Sequence, residues 1–179
     1  MNVLSLDCEY NQPSGKTIQI GAAVYNAVTG LLIEKFETFV NPGEPLNPDI
    51  VVLCGITDKD LINAPSIKDA FEMLELIHAK HKCFTNPIVW GSGVRNDSLT
   101  IYQESGITDR PNFMGYRVID AKSIFQSVQM MNNKTVRGGL AKTCNTIGIG
   151  FEGRAHTALA DAMNTFRVWH FLTKRFNKL

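Results

Sequence analysis

At 179 residues, 44% of them apolar, the chain has the material for one sizeable core and is expected to form a single domain over residues 1–179. No stretch approaches the ~18 consecutive apolar residues of a membrane span, and without low-complexity tracts the composition is that of an ordinary globular protein. The net charge of +1 conceals a division: residues 1–109 carry 7 Lys/Arg against 14 Asp/Glu, whereas residues 110–179 carry 11 against 3.

In chain order, strand signals come first. Residues 3–7, roughly 17–25 and 31–40 are rich in Val, Ile, Phe and Thr, and residues 26–30 read as a hairpin turn. The Asn41-Pro42-Gly43-Glu44-Pro45 run breaks that pattern, and short helical pieces are expected near residues 48–53 and 59–62. Ser66 is placed to cap a longer helix, with Asp69 in its first turn and Ile67, Ala70, Phe71, Leu74 and Ile77 on one face. Ile88-Val89-Trp90 reads as a short buried strand ended by Gly91-Ser92-Gly93. A helix is expected over residues 97–104, stopped by Gly106. A further strand over 117–120 precedes helices near 121–129 and 138–147. The last helix starts near Thr157 and puts Ala158, Ala162, Phe166 and Trp169 on one face. Three antiparallel strands followed by alternating helices and strands predict an α/β domain, a mixed sheet covered by helices. Cys8, Cys54, Cys83 and Cys144 show no Cys-x-x-Cys spacing, and Met1-Asn2-Val3 lacks the basic start of a secretory signal. Reduced thiols in a cytoplasmic protein are therefore expected.

Chemistry concentrates at the two ends. Asp7 and Glu9, two apart on an extended strand, project from the same face. Unit charges ~4 Å apart repel by ~4 kcal/mol at an effective dielectric of ~20. A fold that keeps both ionised calls for a hard cation, Mg²⁺ or Mn²⁺, between them. Such an acidic pair, taken alone, is also common in ordinary structure. His156 and Asp161 would diverge by about 140° on one regular helix. They converge if His156 sits in the loop ahead of the helix and Asp161 one turn inside, and Gly150, Gly153 and Ala155 suit that approach. The plainer reading makes Asp161 a first-turn acid favoured by the helix dipole and His156 a surface residue. Asp97 follows a buried strand and a glycine-rich bend, which is either an ordinary turn or a place where backbone approaches a ligand. Lys122, Lys134, Arg137, Lys142, Arg154, Arg167, Lys174, Arg175 and Lys178 could form a basic surface that holds a polyanion near an acidic metal site, or serve as solvated helix faces.

Together, Asp7-x-Glu9, Asp97 and His156-x-Ala158-x-x-Asp161 resemble the DEDD exonuclease superfamily in its His subtype (DEDDh, DnaQ-like), in order and spacing over nearly the whole chain. Ile18-Gln19-Ile20-Gly21-Ala22, Cys54-Gly55-Ile56-Thr57 and Val118-Ile119-Asp120 agree with it. Trp90-Gly91-Ser92-Gly93 resembles the second-motif variant of a branch with phage and bacterial exonucleases. Histidine five residues before the last aspartate, with no tyrosine four before it, marks the subtype. Two departures stand out: Tyr10-Asn11 where the family often has Thr-Gly, and Asn96 where an apolar residue commonly precedes the third acid.

The resemblance implies a single RNase H-like domain with a mixed five-stranded sheet. It further implies hydrolysis of single-stranded nucleic acid from the 3′ end, DNA favoured over RNA, releasing nucleoside monophosphates. Asp7, Glu9 and Asp161 would ligate one of two Mg²⁺ or Mn²⁺ ions, with Asp7 bridging to the second and Asp97 holding that ion through water. His156 would be the general base, since an imidazole's ordinary pKa of ~6.5 suits proton removal near neutrality. Tyr10, Asn11, Asn96 and Arg154 are expected to touch the substrate, and Asp120 to be a structural acid or N-cap. The competing readings are an exoribonuclease and an idle nuclease-like module that binds nucleic acid or protein; a homodimer or polymerase partner is left open.

Overall fold

Side-chain alternation along the first strand divides the molecule into two faces. In β1 (Asn2–Tyr10), Leu4, Leu6 and Cys8 enter the main core, whereas Ser5, Asp7 and Glu9 point the other way. The computed structural model describes residues 1–91, 96–135 and 138–174. Ser92 and Gly93 of the expected glycine-rich bend, and Arg137, Arg175 and Lys178 of the basic group, lie outside them. Among the described residues, no helix is long and apolar enough to cross a membrane.

The sheet has five strands in the order β3-β2-β1-β4-β5. β1, β2 (Thr17–Asn26) and β3 (Leu32–Phe39) are antiparallel neighbours, while β4 (Ile88–Val89) runs parallel to β1 and β5 (Ile119–Asp120) parallel to β4. This is the expected mixed sheet. Its first strand is longer than the apolar run, because pairing with β2 continues past Asp7 and Glu9, with a register shift only between Glu9 and Tyr10. The parallel strands are shorter than their sequences suggested. Pro87 and left-handed Gly91 (φ +81°) bracket β4, and Asp120 ends β5 by accepting hydrogen bonds from the Lys122 and Ser123 N–H groups as N-cap of the next helix.

On one face lie α3 (Ile67–Lys80), capped by Ser66 as expected, and α4 (Asp97–Ser105), ended by left-handed Gly106. Phe71, Leu74 and Ile101 fill the core there. α1 (Pro48–Cys54) and α2 (Asp58–Leu61) form a small apolar cluster with Ile18 at one end of the sheet. α5 (Ala121–Met131) and α6 (Leu140–Thr146) join α7 (Ala158–Thr173) around Phe125, Cys144 and Val168. α6 starts two residues later than expected, after Gly138 at φ +132°.

α7 lies unusually close to the sheet, and small residues make that possible. Across the β1–β2 pair, Ser5 faces Ala23 and Asp7 faces Gly21. The buried Ser5 hydroxyl donates to the Ala162 carbonyl at 2.7 Å, and the Tyr25 and Phe166 rings stack with centroids 3.7 Å apart. A Cβ at Gly21 would lie 2.1 Å from both the Ala158 carbonyl carbon and the Leu159 nitrogen. No side chain fits there without moving the helix. Gly21→Ala should therefore destabilise the protein by about 1–3 kcal/mol, read as a lower urea midpoint; an unchanged midpoint would show that α7 is not held this tightly.

Candidate active site

The register that leaves room for α7 also carries the acids to the open part of β1. β4 pairs with β1 only at Ser5–Ile88, so Asp7 and Glu9 stand past the end of the parallel half, the usual location of sites in open α/β sheets. Opposite Glu9 is the buried Gln19. Its amide donates to Glu37 Oε1 at 3.0 Å and its carbonyl accepts the Ala158 N–H at 3.1 Å, so one side chain fastens the first turn of α7 to β2 and β3. Asp161 lies in that first turn.

His156 sits just ahead of the helix with φ +62°, a left-handed conformation uncommon outside glycine but enriched in histidine. Its backbone N–H donates to Asp161 Oδ2 at 3.2 Å. The loop before it is tied back to α7: buried Asn164 donates to the Glu152 carbonyl (2.8 Å) and accepts its N–H (3.1 Å), while Arg167 donates to the Ile149 and Gly150 carbonyls at 2.8 and 3.1 Å. Glu9, His156 and Asp161 each offer a ligand atom within 4.8 Å of the others. With Asp7, they line a cavity of about 360 Å³ whose walls include Trp90 and Lys142.

Asp97 occupies the first turn of α4, where the Asn96 side chain caps the helix by accepting the Leu99 N–H at 2.9 Å. The Tyr10 hydroxyl donates to Asp97 Oδ1 at 2.7 Å. Both residues border a second cavity of about 230 Å³, with Gln12, Gly15 and Thr100.

The four carboxyl groups disturb one another. Asp7 is pushed well above the usual carboxylate range, by burial first and then by Asp97, Asp161 and Glu9. Burial raises Glu9, helped by Asp161 and Asp97 and opposed by the Cys54 thiol and His156. Asp161 is raised by burial against the hydrogen bond from His156, and burial lifts Asp97 to about 6 despite the Tyr10 hydrogen bond. A neighbouring cation reverses this balance. The donors are hard carboxylate oxygens with one imidazole, a set that fits Mg²⁺ or Mn²⁺.

The structure thus gathers Asp7, Glu9, His156 and Asp161 into one cavity and sets Asp97 within electrostatic reach. The expected substrate contacts fare differently. Asn11 is 3% exposed, and its side chain is engaged with Glu44 (2.8 Å), the Pro45 carbonyl (3.1 Å) and the Asn47 N–H (2.9 Å), outside both cavities. Asn96 is a cap and Tyr10 is bonded to Asp97. Arg154 is exposed, its guanidinium lying over Gly55 and donating to the Leu53 carbonyl at 3.4 Å. Three roles were not read from the sequence: Gln19 and Gly21 as seats for α7, and Cys54, whose thiol donates to Glu9 Oε2 at 3.3 Å. Burial and the neighbouring Glu9 push that thiol up to about 12. The Gln19–Gly21 run was visible as a family mark, but its purpose depends on a helix 139 residues further along the chain.

Comparison with known proteins bears on the fold and the family. The nuclease domain of 3′hExo, a DEDDh family member determined with bound rAMP, is 18% identical with a TM-score of 0.79, covering 99% of this chain and 94% of that one. S. pombe Pop2p in its Mg²⁺- and Mn²⁺-bound form is 19% identical with a TM-score of 0.73, covering 97% and 83%. These likenesses establish the fold. A DNA polymerase III of PolC type from Bacillus cereus is 44% identical over 46 residues, which is 26% of this chain; the match spans only 3% of that polymerase. The model of the RNase_T exonuclease family matches residues 4–169, nearly the whole chain, and the protein therefore belongs to the exonuclease family.

Proposed function

We propose that the chain is a 3′–5′ exonuclease that removes nucleoside monophosphates from single-stranded nucleic acid, DNA in preference to RNA. The observation that carries this reading is the convergence of Glu9, His156 and Asp161 within 4.8 Å, in a cavity shared with Asp7. Resemblance to a stretch of a DNA polymerase favours DNA; resemblance to a nuclease domain holding rAMP favours the exoribonuclease alternative. Four buried, unpaired cysteines suit a reducing, cytoplasmic setting.

Asp7, Glu9 and Asp161 would hold one divalent cation, and Asp7 with Asp97 a second. When bound, two such ions supply positive charge to the attacking and leaving oxygens of the phosphodiester. The chain's own contribution is placement. Gln19 fixes the first turn of α7, which sets Asp161 opposite Glu9; Cys54 steadies the Glu9 carboxylate; Tyr10 and the Asn96 cap orient Asp97. His156, exposed at the cavity rim, takes a proton from the attacking water onto its imidazole. The new P–O bond forms as the bond from phosphorus to the 3′ oxygen breaks, and that oxygen takes a proton from solvent water to become the new 3′ hydroxyl.

His156→Ala should lower turnover by ~10²–10⁴-fold while Mn²⁺ affinity, measured by calorimetry, stays near wild type; Asp7→Ala should abolish both. Wild-type turnover in the histidine variant would reject its role as base. On matched 5′-labelled single strands with Mn²⁺, the expected result is a 3′-shortening ladder, faster on DNA; a ladder on RNA alone would select the exoribonuclease, and no ladder on either would overturn the nuclease reading.

The acids also set a pH dependence. Their folded-state pKa values are raised, so the folded state holds protons that the unfolded chain releases. Their contribution to stability is therefore most favourable below the unfolded value of ~4 and is lost as pH rises through the folded value, about 6 for Asp97. In chelator, Asp97→Asn should raise Tm relative to wild type at pH 7.5, at ~2–4 °C per kcal/mol, with little effect at pH 4. Equal differences at both pH values would contradict the raising of Asp97 by burial.

A further inference from the structure

A second, larger cavity lies between α5 and α6. It measures about 490 Å³ and is walled by Gln129, Asn133, Lys134, Thr135, Lys142 and Thr146 over the buried ring of Phe125. Lys142 belongs to both this wall and the wall of the acid-lined cavity, so the two spaces are neighbours that share this residue. Among the described residues no carboxylate lines the α5–α6 cavity, and the sequence has no Asp or Glu from Ala121 to Phe151. The lining offers ammonium, amide and hydroxyl donors, the set that contacts phosphate and sugar oxygens. The one aromatic among these described residues, Phe125, is 1% exposed and so presents no face on which a base could stack.

We infer that this groove carries the sugar–phosphate backbone of the nucleotides upstream of the scissile bond, with Lys142 and Lys134 facing successive phosphates. The inference rests on the exonuclease reading and extends it. A strand whose terminal phosphodiester lies over Asp7, Glu9 and Asp161 must leave the cavity by some wall. Among the described residues, the Tyr10–Gln12–Thr100 cavity presents the Asp97 carboxylate, whereas the Lys142 wall leads to a lining that carries the Lys134 and Lys142 ammonium groups. Contacts of this kind hold a chain without reading its bases, so the groove should raise affinity with length and be indifferent to sequence.

The test uses 5′-fluorescein oligonucleotides of mixed sequence, with anisotropy in chelator and steady-state hydrolysis with Mn²⁺. For wild type, affinity and kcat/KM should rise from a dinucleotide to longer strands. Lys134→Glu should lose that gain, on the order of tenfold, and lower the salt slope of binding by ~0.7 per lost phosphate contact. Dinucleotide hydrolysis should be unchanged, because Lys134 does not border the acid-lined cavity. Thr146→Glu, on the opposite wall, should act in the same direction. If wild type shortens oligonucleotides and both variants match it at every length and salt concentration, the groove is overturned and the nuclease reading stands. If wild type neither binds nor shortens any strand, both fall.

Discussion

The contact between the backbone of α7 and the glycine in the middle of β2 governs how the rest of the molecule can be arranged. A helix normally rests on a sheet through intervening side chains. Here Gly21 has none, Ala23 and Ser5 have little, and the helix descends until its own peptide groups meet the strand. Gln19 then satisfies the buried helix start by accepting the Ala158 N–H. With the start of α7 fixed in height and rotation, Asp161 faces Glu9, and the residues just before the helix must turn sharply. That turn places His156 in its left-handed conformation.

The electrostatic consequence is a site that is unfavourable by itself. Burial raises all four carboxyl groups, neighbouring carboxylates raise Asp7 and Glu9 further, and the hydrogen bonds from Tyr10, Cys54 and the His156 backbone offset this only in part. Each of those donors comes from a different element: β1, the end of α1 and the loop before α7. The cluster is thus held open by the fold rather than by its own interactions, which is how preorganised binding sites for charged species are built.

Much of this was legible in the amino-acid order. An apolar run revealed β1, and two-residue spacing the common face of Asp7 and Glu9; Ser66, Gly106 and the glycine-rich stretches marked element ends; the five-residue spacing of His156 and Asp161 allowed convergence through a loop followed by a helix. Information that depends on distant partners was not legible. Tyr10 and Asp97 are 87 positions apart, and Asn11 meets Glu44 and Asn47 across a turn and a strand pair. Asn96 was noticed as a departure from the family pattern, although its role, a helix cap, is local. The strand limits were misjudged where apolar content and hydrogen-bonded pairing part company, since β1 continues through its charged residues while the parallel strands stop after two.

Gly55 illustrates how such a site restricts change elsewhere in the chain. Its φ of +75° ends α1, and a Cβ there would lie 2.1 Å from the Arg154 guanidinium. That guanidinium is the far end of an exposed, flexible side chain and can swing aside, so the restriction at Gly55 comes from its backbone. Any other residue there must hold a left-handed turn or unwind the end of α1, whereas Arg154 stays open to exchange.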